Sequence, residues 1–276
     1  MALRAFALPT CRRSNKMFVM TEIDLFTTAV LPLELFFNDL PLGHATGFLW
    51  RACATRQLYI VTNWHVVSAK DFFTLRNLNK TAARPNRILT RLQIPGQFEK
   101  QPWDIRIRDS NDDPLWLVHP GSRYDLALIP LSVPQNKPII VGLYPLNEYA
   151  NDQLLTAIGM DVFIPGYPFK ISPPAFPVWK RGSIASEPEI TRMTTGYMLV
   201  DTASRPGMSG SPVLQRSWGD HLVSISSKQF DGRMRTKLLG VYSGRVPTDH
   251  PHEAQIGLAW DKSYIDEIIA GNKRDE

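Results

Sequence analysis

The chain has 276 residues, 43% hydrophobic and 21% charged, the proportions of a globular protein with a substantial core. Its net charge of +5, from 31 basic against 26 acidic residues, is spread along the sequence. Only short basic pieces such as Arg12-Arg13 and Arg233–Lys237 occur, so a nucleic-acid partner, which needs a clustered basic stripe, is not expected. No apolar run nears the ~20 residues that cross a bilayer, so no membrane partner is expected either.

Residues 1–20 contain basic residues but no uninterrupted apolar region and no small-residue cleavage site. They read as a loosely ordered lead-in rather than a signal peptide, with Met17 or Met20 as alternative starts. Cys11 in that lead-in and Cys53 are the 2 cysteines. They make no disulfide framework, which points to a reducing compartment, the cytoplasm.

From 21 to 260 the chain reads as many short strands divided by turns, with 22 prolines against 17 glycines. Gly47–Arg51 and Gln57–Thr62 form a hairpin pattern, and Val66–Asp71 has room for one helical turn. Arg87–Ile94, Ile105–Arg108 and Leu115–His119 follow as strands, the last two joined by the turn-rich 109–114. Leu126–Leu131 is wholly apolar, suited to burial on both faces. Pro130, Pro134 and Pro138 mark an inter-domain link. The second half supplies Val162–Ile164, Trp179–Ser186, Tyr197–Asp201, Ser211–Leu214, Leu238–Tyr242 and Ile256–Trp260. Over 261–276 the pattern changes: Asp261 caps a helix with Tyr264, Ile265, Ile268 and Ile269 on one face and Gly271 at its end. The fold class is all-β with a C-terminal helix.

Three segments carry chemistry. Residues 205–213 read Arg-Pro-Gly-Met-Ser-Gly-Ser-Pro-Val, placing Ser209 between glycines that allow a sharp turn. A serine hydroxyl is a weak nucleophile that needs a base within hydrogen-bond reach. The same turn can aim the Gly207 and Ser209 amides at one point as an oxyanion hole. His65, in Thr-Asn-Trp-His-Val-Val, follows the apolar run Leu58–Thr62 and stands where a strand gives way to a turn, fit for a general base. Asp125, in Tyr-Asp-Leu-Ala-Leu, enters the edge of the core, where a carboxylate needs a partner such as the His65 imidazole. His44, His119, His221, His250 and His252 have no comparable setting. Asp104, Asp109, Asp112 and Asp113 lie in polar turns.

The order His65, Asp125, Ser209, with these local motifs, resembles the trypsin-like (chymotrypsin-fold) serine peptidases. Val200-Asp201-Thr202-Ala203 and Ile256-Gly257-Leu258-Ala259 are similar to segments of the Deg/HtrA-type branch, without a PDZ domain in this sequence. Ser-Gly-Ser-Pro is shared with glutamyl endopeptidases, and Gly166-Tyr167-Pro168 with many bacterial relatives. The resemblance implies two packed six-stranded β-barrels: one over 21–132 carrying His65 and Asp125, one over 133–260 carrying Ser209. It implies endopeptidase activity on a protein or peptide substrate through an acyl-enzyme, with no metal and no organic cofactor. Its pocket floor maps to Ala203 and the opposite wall to Tyr242, Ser243, Gly244 and Arg245, so small or apolar residues are expected before the cut. Arg245 could instead attract an acidic side chain.

Met208 departs from the family, since trypsins carry Asp there to pair with a newly cut N-terminus. Activation by such cleavage is therefore not expected, and a regulatory protein partner is the alternative restraint. The rival reading is a peptidase-fold module in which Met208 misplaces the oxyanion amide and the cleft binds peptides or partner proteins without cutting them. An esterase using the same triad is a third.

Overall fold

A computed structural model describes residues 23–93, 100–131, 143–150, 153–170, 176–203, 205–246 and 255–276. The lead-in over 1–20, with Cys11, and most of the proline-marked link lie outside these residues.

The first lobe begins with a short helix α1 (Leu25–Ala29), capped by the Asp24 side chain on the Phe26 N–H at 2.9 Å. It continues through β1 (Val30–Phe37), β2 (Leu40–Arg51), β3 (Leu58–Thr62), helix α2 (Trp64–Ser68), β4 (Arg87–Gln93), β5 (Lys100–Arg106), β6 (Leu117–Val118) and β7 (Ala127–Pro130). The second lobe holds β8 (Asp161–Gly166), β9 (Val178–Ile184), helix α3 (Pro188–Thr195), β10 (Tyr197–Asp201), β11 (Pro212–Ser224), β12 (Ser227–Arg245) and β13 (Ile256–Asp261). Helix α4 (Ser263–Gly271) and a two-residue strand β14 (Lys273–Arg274) end the chain.

The fold is a chymotrypsin-like double β-barrel. The second lobe is a closed barrel in the order β10-β13-β12-β11-β8-β9. The first lobe differs in count: its ladder has eight strands, β14-β6-β7-β3-β2-β1-β4-β5, because the C-terminal strand adds to its edge. Its two ends meet where the Leu115 N–H reaches the Ile107 carbonyl at 3.0 Å, beside the bridge between Arg108 and Pro114. Arg108 secures this junction with bonds to the Pro85 and Asp112 carbonyls and its guanidinium 4.9 Å above the Trp116 ring.

Strand alternation divides the first lobe's side chains between two cores. Leu49 and Ile60 point into the first lobe with Leu31, Leu33, Ile88 and Trp116. Their neighbours Phe48, Trp50, Tyr59 and Val61 face the other way, onto Leu214, Leu238, Val241 and Trp260 of the second barrel. Each fully buried side chain of this size contributes about 1.5–3 kcal/mol, so the seam between lobes is a core in its own right.

The expected strands appear, about half with longer bounds and most of the rest shorter by one to three residues. The differences have physical causes. β11 and β12 run far beyond the expected 211–214 and 238–242, as an arm whose outer residues are largely exposed and lack two-fold alternation. α3 buries none of its residues, and its apolar pair Ile190 and Met193 is exposed, too short a stripe to mark a helix in the sequence. Helix α4 is held at its start by the Asp261 side chain on the Ser263 N–H at 2.9 Å, and it ends at Asn272, in a left-handed conformation, one residue beyond the expected Gly271.

The last strand also ties the tail to the site. One oxygen of Asp275 accepts the indole N–H of Trp64 at 2.7 Å and of Trp116 at 3.0 Å. Asp275→Ala leaves both donors unpaired, which costs about 1–3 kcal/mol per buried group. Thermal melting should fall by about 2–4 °C per kcal/mol, with Asp275→Asn closer to wild type. An unchanged melting point for Asp275→Ala would contradict this role.

Candidate active site

Asp125 sits at the head of β7 with none of its surface exposed. Its Oδ1 accepts the His65 backbone N–H at 2.8 Å, and its Oδ2 lies 2.7 Å from His65 Nδ1. The Ser243 hydroxyl donates to the same Oδ2 from the other lobe. The backbone carbonyl of Asp125 takes the Asn63 side-chain amide at 2.8 Å, which pins the turn entering α2. A carboxylate can only accept, so the imidazole proton lies on Nδ1 and the neutral ring presents a lone pair at Nε2. Burial opposes charge on His65, but the attraction and hydrogen bond of Asp125, with a smaller contribution from Asp71, outweigh it and raise its pKa above 6.5.

Ser209 lies across from His65, both lining a cleft of about 200 Å³ with Leu35, Leu42, Val66 and Ala69. Its hydroxyl is bonded at 3.4 Å to the Ser243 carbonyl, and among the described residues it makes no hydrogen bond to His65.

The loop before Ser209 is fixed carbonyl by carbonyl. The Met208 N–H meets the Arg205 carbonyl at 3.2 Å, and Gly207 has φ +96°, a type II turn with Pro206 and Gly207 at its centre. The Phe169 N–H bonds the Pro206 carbonyl at 2.9 Å, and the Ser211 N–H bonds the Met208 carbonyl at 3.0 Å. A trans peptide holds its N–H opposite its C=O. The Gly207 and Ser209 amides therefore face away from those partners, and among the described residues neither donates a hydrogen bond. A side chain at Gly207 would strike the Tyr167 carbonyl and the His44 ring, and one at Gly210 the Thr46 carbonyl. Met208 is 2% exposed, its side chain packed in the second-barrel core with Val162 and Val213.

The sequence profile of the trypsin-like peptidase domain matches residues 45–220, well over half the chain. The chain belongs to this family. No curated protein matches it by sequence. Among solved structures it is similar to Rv3671c of M. tuberculosis H37Rv, a serine-to-alanine mutant in an inactive form. That likeness has a TM-score of 0.47 and 15% identity, covering 89% of this chain and 86% of that one. It is also similar to a serine endoprotease from Yersinia pestis, with a TM-score of 0.48 and 16% identity, covering 88% of this chain. The chain spans 62% of the length of the Yersinia protein.

Within this peptidase domain, the expected pocket residues divide. Ala203 is half-buried just after β10. Tyr242, expected in the pocket wall, is 1% exposed and turned into the barrel core, where Gly257 opposite lacks the Cβ that would collide with its ring. Ser243 donates its hydroxyl to Asp125. Gly244, with φ +122°, and Arg245 close β12 beside β13. Lys180, Arg205 and Arg245 lie close enough that, after burial, the two arginines are what lower the Lys180 pKa.

Three neighbours escaped the sequence reading. Asp71 adds negative charge near His65. His44 packs against Gly207, and burial, then the Lys170 charge, holds its pKa below 6.5. Lys100 reaches across the lobes to donate to the Tyr167 hydroxyl at 2.9 Å, above the rings of Tyr167 and Phe176. The only sequence signal of His44 and Lys100 is a polar or charged residue inside a strand, and that of Asp71 a charged residue in a turn, which solvated strands and turns also carry.

Burial lowers the Lys100 pKa from 10.5 to about 8, with Arg91 adding to the effect. A depressed amine pKa means the unfolded chain holds the proton longer as pH rises, so this site destabilises the fold below about pH 8. That penalty is relieved between about pH 8 and 10.5. Melting of wild type relative to Lys100→Met should rise across that window. A flat difference would contradict the burial of this charge.

Proposed function

We propose that this chain is a serine endopeptidase that cleaves protein or peptide substrates through Ser209, His65 and Asp125. The observation that carries the reading is the fully buried Asp125 carboxylate bonded to both the backbone N–H and Nδ1 of His65. That contact fixes the ring's tautomer and stabilises the imidazolium formed during reaction.

Catalysis starts with rotation of the Ser209 hydroxyl from the Ser243 carbonyl toward His65 Nε2. His65 takes the proton as Oγ attacks the scissile carbonyl carbon. The carbonyl oxygen, now negative, sits against the Gly207 and Ser209 amides. Collapse of the tetrahedral intermediate breaks the C–N bond, and His65 gives its proton to the departing amine. Water then repeats the sequence on the acyl-enzyme and restores Ser209. Asp125 stays ionised throughout.

The cleft beside His65 is lined largely by apolar side chains. Because His65 must protonate the leaving amine, this cleft takes the residue after the cut and favours an apolar one. Cys53 is exposed and has no disulfide partner among the described residues, and a cytoplasmic setting belongs to the same proposal. Among the described residues no helix is long and apolar enough to cross a membrane. Restraint by a regulatory protein and a bacterial setting belong to the same reading, on the family resemblance alone.

One observation favours a second reading, a module that binds peptides without cutting them: Ser209 is bonded to Ser243 and not to His65.

Peptide-library digestion read by mass spectrometry separates the two. Cleavage by wild type, absent in Ser209→Ala, supports the peptidase; saturable binding with no cleavage by either protein sinks it. Asp125→Asn should lower kcat by about 10⁴-fold. Because His65 acts as a neutral base and its pKa is raised, kcat/KM should climb with pH on a limb centred above 6.5. A limb at or below 6.5 would contradict the Asp125–His65 coupling.

A further inference from the structure

We infer that Thr46 is a positioning residue that sets the oxyanion loop, an inference that rests on the peptidase reading above. Thr46 lies in β2, wholly buried, and touches the loop with two atoms, its hydroxyl oxygen and its backbone nitrogen. Its hydroxyl donates to the Gly207 carbonyl at 2.7 Å and accepts the Tyr167 N–H at 3.1 Å. Its backbone N–H donates to the Ser209 carbonyl at 2.9 Å. Its own carbonyl accepts the Thr62 hydroxyl at 2.9 Å, which anchors β2 to β3.

The consequence follows from peptide geometry. Phe169 fixes the peptide before Gly207, and the Thr46 hydroxyl fixes the peptide after it. With both planes held, Gly207 is held at φ +96° and its amide direction is set. The Thr46 backbone holds the carbonyl side of Ser209 in the same way. One strand residue of the first lobe thus holds the carbonyl side of both donor-bearing residues in the second, while Phe169 and Ser211 hold their amide sides. The hydroxyl is needed because it must donate to one carbonyl and accept from one amide at once, which valine cannot do.

Without that bond the peptide after Gly207 is held only by the Met208 N–H on the Arg205 carbonyl, and Gly207, lacking a Cβ, offers little resistance to a change of φ that tilts its own amide. The misplaced amide would still admit substrate but meet the developing oxyanion poorly. Thr46→Val should therefore lower kcat on the order of 10²-fold, as a displacement of about 1 Å can. KM should stay within a few-fold of wild type. Thr46→Ser, which keeps the hydroxyl, should return kcat to near wild type. A purely structural role would instead lower the melting point and leave the kcat of the folded fraction intact.

The test combines kinetics of wild type, Thr46→Val and Thr46→Ser on one peptide substrate with amide spectra of the same proteins labelled at glycine with nitrogen-15. The expected result is a kcat loss in Thr46→Val, rescue by Thr46→Ser, and movement of the Gly207 and Gly210 resonances in addition to that of Gly47, which adjoins the substitution. Unchanged kcat in Thr46→Val would overturn the inference and leave the peptidase reading intact. If wild type fails to turn over, the peptidase reading is what fails, and the Gly207 resonance decides alone. Movement in Thr46→Val with restoration in Thr46→Ser supports the positioning, and an unmoved resonance overturns it.

Discussion

The Asp125 carboxylate is the interaction on which the rest depends. A fully buried charge is costly unless its lone pairs are met, and here every close donor is structural. The His65 backbone and ring come from the turn after β3, while the Ser243 hydroxyl comes from β12 of the other lobe. Satisfying one carboxylate therefore fixes the rim of the first lobe, the tautomer of His65 and the register between lobes. The apolar seam of Phe48, Trp50, Val241 and Trp260 excludes the water that would weaken the contact.

The loop around Ser209 follows the complementary logic. Its carbonyls are all bonded on one side, by Phe169, Thr46, Ser211 and Met208. The amides of Gly207 and Ser209 are what this leaves over. Donors kept unpaired and oriented need no reorganisation when charge develops beside them. Met208 is held by its packing. Its side chain fills the second-barrel core, and its backbone closes the turn with Arg205 and Ser211.

The motif residues were legible in the sequence because their signals are local: a serine between glycines, a histidine after an apolar strand, an aspartate heading one. The strand-rich pattern was legible through short apolar runs divided by turn residues, while the pairing into two barrels came from the family resemblance. Thr46 was not, because its role lies in a bond to Gly207, 161 positions away. The burial of Tyr242 was not legible because its surroundings depend on Gly257 across the sheet. The long arm of β11 and β12 was missed because exposed strands carry no alternation.

The most direct measurement is labelling of purified protein with a fluorophosphonate, the modified peptide being identified by mass spectrometry in wild type, Ser209→Ala and His65→Ala. The account predicts label on Ser209 in wild type and none in either variant. A folded wild type that takes no label, or one labelled equally after removal of His65, would contradict an assembled Asp125–His65–Ser209 nucleophile.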